Sequence, residues 1–343
     1  MPAVGDRLAD QWFIACDARE LRRAPLARTI QGVPLVLFRD GDGRAAALLD
    51  RCPHRNIPLS AGSVTPEGLL ACGYHGWRFD GAGACRVIPA LASEPDRKAR
   101  RATAYATREQ DGFVWVYTTP DAAPTREPYR FPSVDGRYAT IRRDLVMPGP
   151  LRHVLENALD VPHTAFLHGG LFRTAARRHD VEVRVRRTAE AVEAEYVGEP
   201  RPPGLIGRVL APGGGVVEHF DRFLMPSIAQ VEYRLGEASH LLNTTAMTPI
   251  SAFETRCWAV IQLRLPVSSR LVAPLVTPLA MRILRQDAAI LALQSRAIQR
   301  FGDQAFTSTE VDVLGPHVWK LLAAAADGQP PPASFEHRLT MRV

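Results

Sequence analysis

The chain has 343 residues, 46% of them hydrophobic and 23% charged, with a formal charge of +6. That is ordinary for a soluble globular protein and long enough for two domains with a well-buried core. No window of ~18 uninterrupted apolar residues occurs, so no membrane-spanning helix is expected. The opening MPAVGDRLADQWF lacks the basic-then-apolar pattern of a secretion signal, which points to a cytoplasmic protein. Lys98 and Lys320 are the only lysines, so arginine supplies the rest of the positive charge. Coding bias accounts for this, with a basic face for an acidic protein partner as the functional alternative. The arginines are scattered and carry no helix-turn-helix or RNA-binding signature, which argues against nucleic acid.

Residues 1 to about 118 read as β-rich. VPLVLFRDGDGRAAALLD is two apolar runs joined by Asp40-Gly41-Asp42-Gly43, a hairpin signal. WRFDGAGACRVI repeats it with Asp80-Gly81-Ala82-Gly83, and GFVWVYT alternates large apolar residues as a closing strand. The proline-rich TTPDAAPTREPYRFP, residues 118 to 132, reads as a linker. These features divide the chain into domains of residues 1–120 and 121–343.

The second domain opens on helical spacing in MPGPLRHVLENALDVPHTAFLHGG, with Leu151, Val154, Leu155, Ala158 and Leu159 apolar and Gly169-Gly170 ending it. Strand-like runs follow: DVEVRVRRTAEAVEAEYVG, VVEHFDRFLMPSIAQVEYRLG, HLLNTTAMTPI and ETRCWAVIQLRLPV. A further helix is expected over roughly 279–300, and GQPPPAS near the end reads as a loop or tail. Sheet plus helices makes the domain α+β.

Two short loops in the first domain carry ligand-type side chains. RCPHRN holds Cys52-x-His54 and CGYHGWRFD holds Cys72-x-x-His75. Two thiols and two imidazoles make a closed metal site, and zinc is one occupant of such a set. Zinc fingers, however, usually draw both cysteines from one loop and both histidines from the other. Here each loop gives one of each. A two-iron, two-sulfide cluster sorts its ligands differently, two thiolates on one iron and two imidazoles on the other. The spacing, with Gly76-Trp77 following, resembles the Rieske [2Fe–2S] domain. Neither loop has the extra cysteine that forms a disulfide in respiratory Rieske proteins, so the resemblance is to the oxygenase type. Cys16, Cys85 and Cys257 are read as small buried hydrophobes.

A cluster of this kind moves single electrons, so other chemistry is sought in ENALDVPHTAFLH. Asn157, Asp160 and His163 are three apart, close to one face of a helix. His168 is too far round an ideal helix, but Pro162 and Gly169-Gly170 make a distorted helix end that brings it back toward His163. Two histidines and one carboxylate form the facial triad of non-heme Fe(II) oxygenases. Asp287 is the candidate carboxylate, because Ile283, Leu284, Ile290 and Leu291 place it on the buried face of a helix, where a charge needs a partner. Glu254, Glu310 and Asp312 stand as alternatives.

Together these segments resemble the terminal oxygenase (alpha) subunit of a Rieske non-heme iron oxygenase, closest to the vanillate and dicamba O-demethylase and ketosteroid hydroxylase types. The resemblance implies a helix-grip catalytic domain with a curved antiparallel sheet over a long helix, and a head-to-tail homotrimer. It implies that Cys52, His54, Cys72 and His75 hold the cluster and that His163, His168 and Asp287 hold a mononuclear Fe(II). It implies that Asp160 bridges a cluster histidine of the neighbouring subunit to His163, and that Asn157 lies near the iron as a non-ligand. A ligating histidine usually donates its second N–H to a carboxylate, which suits Asp160. No G-x-G-x-x-G occurs, so electrons from NAD(P)H come through a separate reductase or ferredoxin. With O₂, the expected reaction is monooxygenation, by hydroxylation or demethylation, of a bulky hydrophobic substrate, sterol-like, polycyclic or aromatic. Phe220, Phe223, Leu224, Met225, Ile228, Tyr233, Leu242, Met247 and Trp258 are pocket candidates, with His219 and His240 as polar options. A ring-dihydroxylating dioxygenase alpha subunit, a Rieske electron carrier without oxygenase activity and a zinc-stabilised binding protein are the alternatives.

Overall fold

The computed structural model describes residues 7–168, 179–200, 216–236, 238–266, 269–302 and 304–342. The chain forms two compact units, residues 7–131 and the part from Pro132 onward. Gly169 and Gly170, expected to end a helix, lie outside the described residues.

The first unit contains β1 (Trp12–Asp17), β2 (Leu26–Ile30), β3 (Val33–Arg39), β4 (Ala45–Leu49), β5 (Ser63–Val64), β6 (Leu70–Ala71), β7 (Arg78–Phe79), β8 (Cys85–Val87), β9 (Ala104–Tyr105), β10 (Thr107–Gln110) and β11 (Phe113–Tyr117). They form sheets in the orders β1-β11-β10, β2-β3-β4-β9 and β5-β6-β7-β8. Every residue of β11, FVWVY, is buried, as in a strand covered on both faces. Both expected hairpins form, and for one reason. The carboxylates of Asp40 and Asp80 each accept from the amides two and four residues on, which closes the turn without help from outside it. The proline-rich stretch is not a free linker. Trp12 Nε1 donates to Arg126 O at 2.7 Å, Gln110 Nε2 donates to Tyr129 O at 2.9 Å, and the Phe131 ring sits 5.5 Å from that of Phe113. Prolines pre-order an extended strap whose carbonyls remain free to accept, so little entropy opposes its docking.

The second unit contains β12 (Ala139–Met147), α1 (Leu151–Leu159), α2 (Thr164–Leu167), β13 (Asp180–Arg187), β14 (Ala191–Pro200), β15 (Val216–Leu224), β16 (Ile228–Leu235), β17 (Ser239–Ser251), β18 (Glu254–Arg264), α3 (Ser269–Phe301), α4 (Gly315–Ala326) and β19 (Phe335–Arg342). One antiparallel sheet runs β12-β18-β17-β16-β15-β14-β13-β19. The domain is α+β as expected. In β13, Val181, Val183 and Val185 point inward and the charged residues between them outward, so a one-residue slip would reverse both faces. α1 lies against β15 to β18, and α3 against β12 and β18. Among the described residues no helix is long and apolar enough to cross a membrane.

Three departures from expectation have physical causes. α3 begins at Ser269 rather than near 279 and contains Pro274 and Pro278. The two prolines are one turn apart, so the missing donors fall on a single side of the helix. β12 and β19 carry too many charged residues to read as strands, and in β19 only Met341 is buried. GQPPPAS is a loop, but it leads into that strand rather than ending the fold.

Candidate metal centres

The two Cys/His loops fold alike. Cys52 N–H donates to Ile57 O and Asn56 N–H to Cys52 O; Cys72 N–H donates to Trp77 O and Gly76 N–H to Cys72 O. The fifth residue of each loop is left-handed, Asn56 at φ 59° and Gly76 at φ 66°, a conformation those two residue types tolerate best. Within this shared frame the histidines fall one position apart. The β5–β6 pair ties the loops together. Gly62, beside it, has no room for a side chain, since a Cβ would lie 1.9 Å from Ala71 O. The cysteines sit in the apolar core with Val36, Leu59, Leu70 and Phe79, while His75, Arg55 and Tyr74 are exposed at the tips.

The donor set fits a [2Fe–2S] cluster. Cys52 and Cys72 are free thiols near enough for their sulfurs to interact. Burial raises the Cys52 thiol, the His54 amide lowers it, and the Cys72 sulfur raises it again. Amides aimed at sulfur tune such clusters. The His54 and His75 rings stand 4.5 Å apart, and His54 stacks on Trp77 at 4.8 Å. His54 Nδ1 is buried without a hydrogen-bond partner among the described residues.

The second centre forms where α1 stops. Asp160 caps the helix in an extended conformation, ψ 110°, because the following Val161-Pro162 disfavours continuation. Asn157, Asp160 and His163 therefore do not share one helix face, as the spacing suggested. His163 and His168 instead flank α2 as its N- and C-terminal caps, and that short turn returns His168 to His163. His163 Nε2 and His168 Nε2 are 3.3 Å apart. Asp287 Oδ1, from α3, is 3.6 Å from the first and 3.0 Å from the second. One ligand-type atom from each residue lies within 4.8 Å of the others. Glu254, Glu310 and Asp312 are not in this group.

The neighbours of the two imidazoles show what the site asks for. His168 Nδ1 faces the Gln286 amide oxygen at 3.0 Å, and His163 Nδ1 faces Asp160 Oδ2 at 3.4 Å. A proton on His168 Nδ1 directed at Gln286 leaves that ring's Nε2 bare, whereas His163 Nδ1 is buried and makes no hydrogen bond among the described residues. Asp287 Oδ1 is buried and makes no hydrogen bond. His163 Nε2, His168 Nε2 and Asp287 Oδ1 thus converge on one point, where either a proton or a metal ion must be shared among them. A metal ion satisfies them. In its absence a proton would do so. Burial lowers the His163 pKa, but Asp160 and Asp287 outweigh it and raise the value to about 9.

A cavity of about 780 Å³ adjoins His163, lined by α1, α2, residues 290–297 of α3 and the 311–315 segment. Phe166, Ile290, Leu293 and Val311 on its rim are exposed. Glu156, Asp160 and Asp312 also line it; burial, helped by Asp312 and Asp160, pushes Glu156 up to about 7. None of the nine pocket candidates lines this cavity. Phe223, Ile228, Leu242, Met247 and Trp258 are core. His219 is a core histidine rather than a wall of the cavity. It is fully buried, with Tyr196 and Tyr233 stacked on it at 4.4 and 4.1 Å. Glu199 Oε2 lies 2.7 Å from Nδ1 and Asp221 Oδ1 3.1 Å from Nε2. Burial lowers its pKa, but Asp221 and Glu199 raise it to about 9. His240 bonds Tyr138 and Glu232.

A Rieske [2Fe–2S] domain profile matches residues 11–106, and the vanillate O-demethylase oxygenase C-terminal domain profile matches residues 147–328. A cluster domain joined to an oxygenase domain defines an oxidoreductase of the Rieske non-heme iron class. The second match spans over half of the chain, which belongs to the vanillate O-demethylase type of that class. The oxygenase component of dicamba O-demethylase from Stenotrophomonas maltophilia is 30% identical over 243 residues, 69% of this chain and 67% of the relative. Chlorophyllide a oxygenase from Chlamydomonas reinhardtii is 36% identical over 180 residues, 49% of this chain and only 26% of that much longer protein. Crystalline dicamba monooxygenase bound to 3,6-dichlorosalicylic acid shares the fold, with a TM-score of 0.76 at 21% identity over 94% of this chain and 98% of that one.

Proposed function

We propose that this chain is a terminal oxygenase that inserts one atom of O₂ into a bulky hydrophobic substrate, by hydroxylation or oxidative demethylation. Its electrons come from a separate NAD(P)H-dependent reductase or ferredoxin. The observation that carries this reading is the convergence of three ligand-type atoms, on His163, His168 and Asp287, within 4.8 Å of one another, in a chain whose other unit presents a thiol pair and an imidazole pair. Cys52 and Cys72 hold one cluster iron, His54 and His75 the other, and the convergent three hold Fe(II). When bound, the cluster supplies single electrons and the iron supplies activation of O₂.

The chain's own residues do the rest. Asp160 stands behind His163 Nδ1 at 3.4 Å and, with its second oxygen, reaches a cluster histidine of a second copy, with Asn157 beside it. The rim of the cavity supports that docking. Its exposed Phe166 and Leu293 and its carboxylates complement the exposed Arg51, Arg55 and Tyr74 at the loop tips, which favours a head-to-tail trimer. A surface for an apolar substrate is supported on the sheet. Val231, Asn243 and Ile261 are cross-strand neighbours on β16, β17 and β18 and stay only partly buried. Such a mostly apolar patch with one amide suits contact with a hydrophobic ligand that carries a polar group. All five cysteines are free, in keeping with a reducing, cytoplasmic setting.

Anaerobic purification followed by metal, sulfide and EPR analysis tests the proposal. About three irons and about two sulfides per chain with a Rieske signal are expected, as is one labelled oxygen per product from isotopic O₂. About two irons would leave an electron carrier. Two labelled oxygens on adjacent ring carbons would make it a dihydroxylating dioxygenase. Zinc without sulfide would overturn the assignment altogether.

A further inference from the structure

The two histidines of the triad are supported unequally, and the difference lies in α3. His163 has a carboxylate behind it, Asp160, at 3.4 Å. His168 has a neutral amide behind it, Gln286, at 3.0 Å. Gln286 and Asp287 are consecutive on α3, where adjacent side chains diverge by about 100°. One helix therefore takes hold of both ends of one imidazole, with Asp287 at Nε2 and Gln286 at Nδ1. His168 is almost wholly buried, so no water competes for that Nδ1 proton.

Resting on the iron reading of the triad, we propose that Gln286 is a positioning residue for the mononuclear iron. Its amide oxygen fixes the Nδ1–H tautomer and the ring plane of His168, and its neutrality leaves the charge of the site balanced. Fe(II) brings two positive charges, and Asp160 and Asp287 bring two negative ones. A third carboxylate at position 286 would favour the ferric ion, whereas an apolar side chain would free the imidazole to turn or to change tautomer. The sequence alone did not single out Gln286, because a glutamine beside a helix aspartate carries no distinguishing spacing.

The test uses the full chain with its cluster in place, monitored by the Rieske EPR signal. Fe(II) and Co(II) affinities of the second site are measured anaerobically by competition with a chelator. Gln286→Met keeps the length of the side chain and removes the acceptor; its affinity is expected to fall about 10- to 100-fold. Gln286→Glu restores an acceptor and is expected to recover most of that affinity. It should also raise the ferric-to-ferrous ratio at fixed potential by at least about tenfold, or roughly 59 mV for a one-electron couple. Equal affinities for wild type and Gln286→Met would overturn the role of Gln286 while leaving the triad intact. So would an unchanged potential in Gln286→Glu. A wild-type chain with an intact cluster that takes up neither ion would instead overturn the triad reading, and this inference with it.

Discussion

The two candidate metal centres are assembled in opposite ways. The thiol–imidazole site is local: four side chains on two hairpin-borne loops that repeat one backbone hydrogen-bond pattern and are joined by the β5–β6 pair. The triad is assembled from distant parts. Two histidines come from a broken helix end, and the carboxylate comes from α3, on the far side of the sheet sequence. A local site can be read from spacing because the loop fixes where each side chain goes. A dispersed site shows only its local half, and its last ligand is found by asking which buried charge lacks a partner.

If the two centres are independent, each can be emptied alone. Cys72→Ser should have the largest effect. The Rieske signal and labile sulfide should vanish and turnover should cease, while Co(II) still binds the triad with wild-type affinity, because all three of its ligand atoms lie in the other unit. Loss of both metals would break the comparison. Asp160→Asn should leave both centres filled and keep an acceptor behind His163. Its removal of the charge should slow reoxidation of the reduced cluster in single turnover by about 10- to 100-fold. A wild-type rate would show that electrons do not pass by way of that carboxylate.

The smallest functional effect is expected at His219, which sharpens the distinction between metal-binding and structural histidines. Its folded pKa of about 9 exceeds the ordinary 6.5. A raised pKa gives stability that is fully present below the unfolded value and is lost as pH rises through the folded one. The contribution of His219 to stability against urea, on the order of a few kcal/mol, should therefore be lost between about pH 6.5 and about pH 9. His219→Phe, which removes the imidazolium between the buried Glu199 and Asp221, should be less stable across this range and keep its full complement of iron. A metal-depleted His219→Phe would assign that histidine to the second centre.

Much of this was legible in the residues. Asp40 and Asp80 announced their turns because an aspartate closes a hairpin through its own carboxylate, and the strands with alternating valines announced theirs. The triad histidines were legible because Pro162 marks where a helix must break. Other features were hidden for physical reasons. β19 is an edge strand with one buried side chain, so no alternation marks it. Pro274 and Pro278 disguise the start of α3. The Tyr196–His219–Tyr233 stack is made by cross-strand register across β14, β15 and β16, and register is a property of paired segments rather than of any one of them.

The burial of the cysteines also makes the chain its own reporter. Burial pushes Cys16 and Cys257 up to about 12 and Cys85 to about 11, so at neutral pH almost no thiolate exists at any of the three. An alkylating reagent added to the native holoprotein should find nothing to label. As the cluster is lost and its loops open, Cys52 and Cys72 become the sole acceptors. The mass added per chain then counts, molecule by molecule, how much of a preparation has decayed.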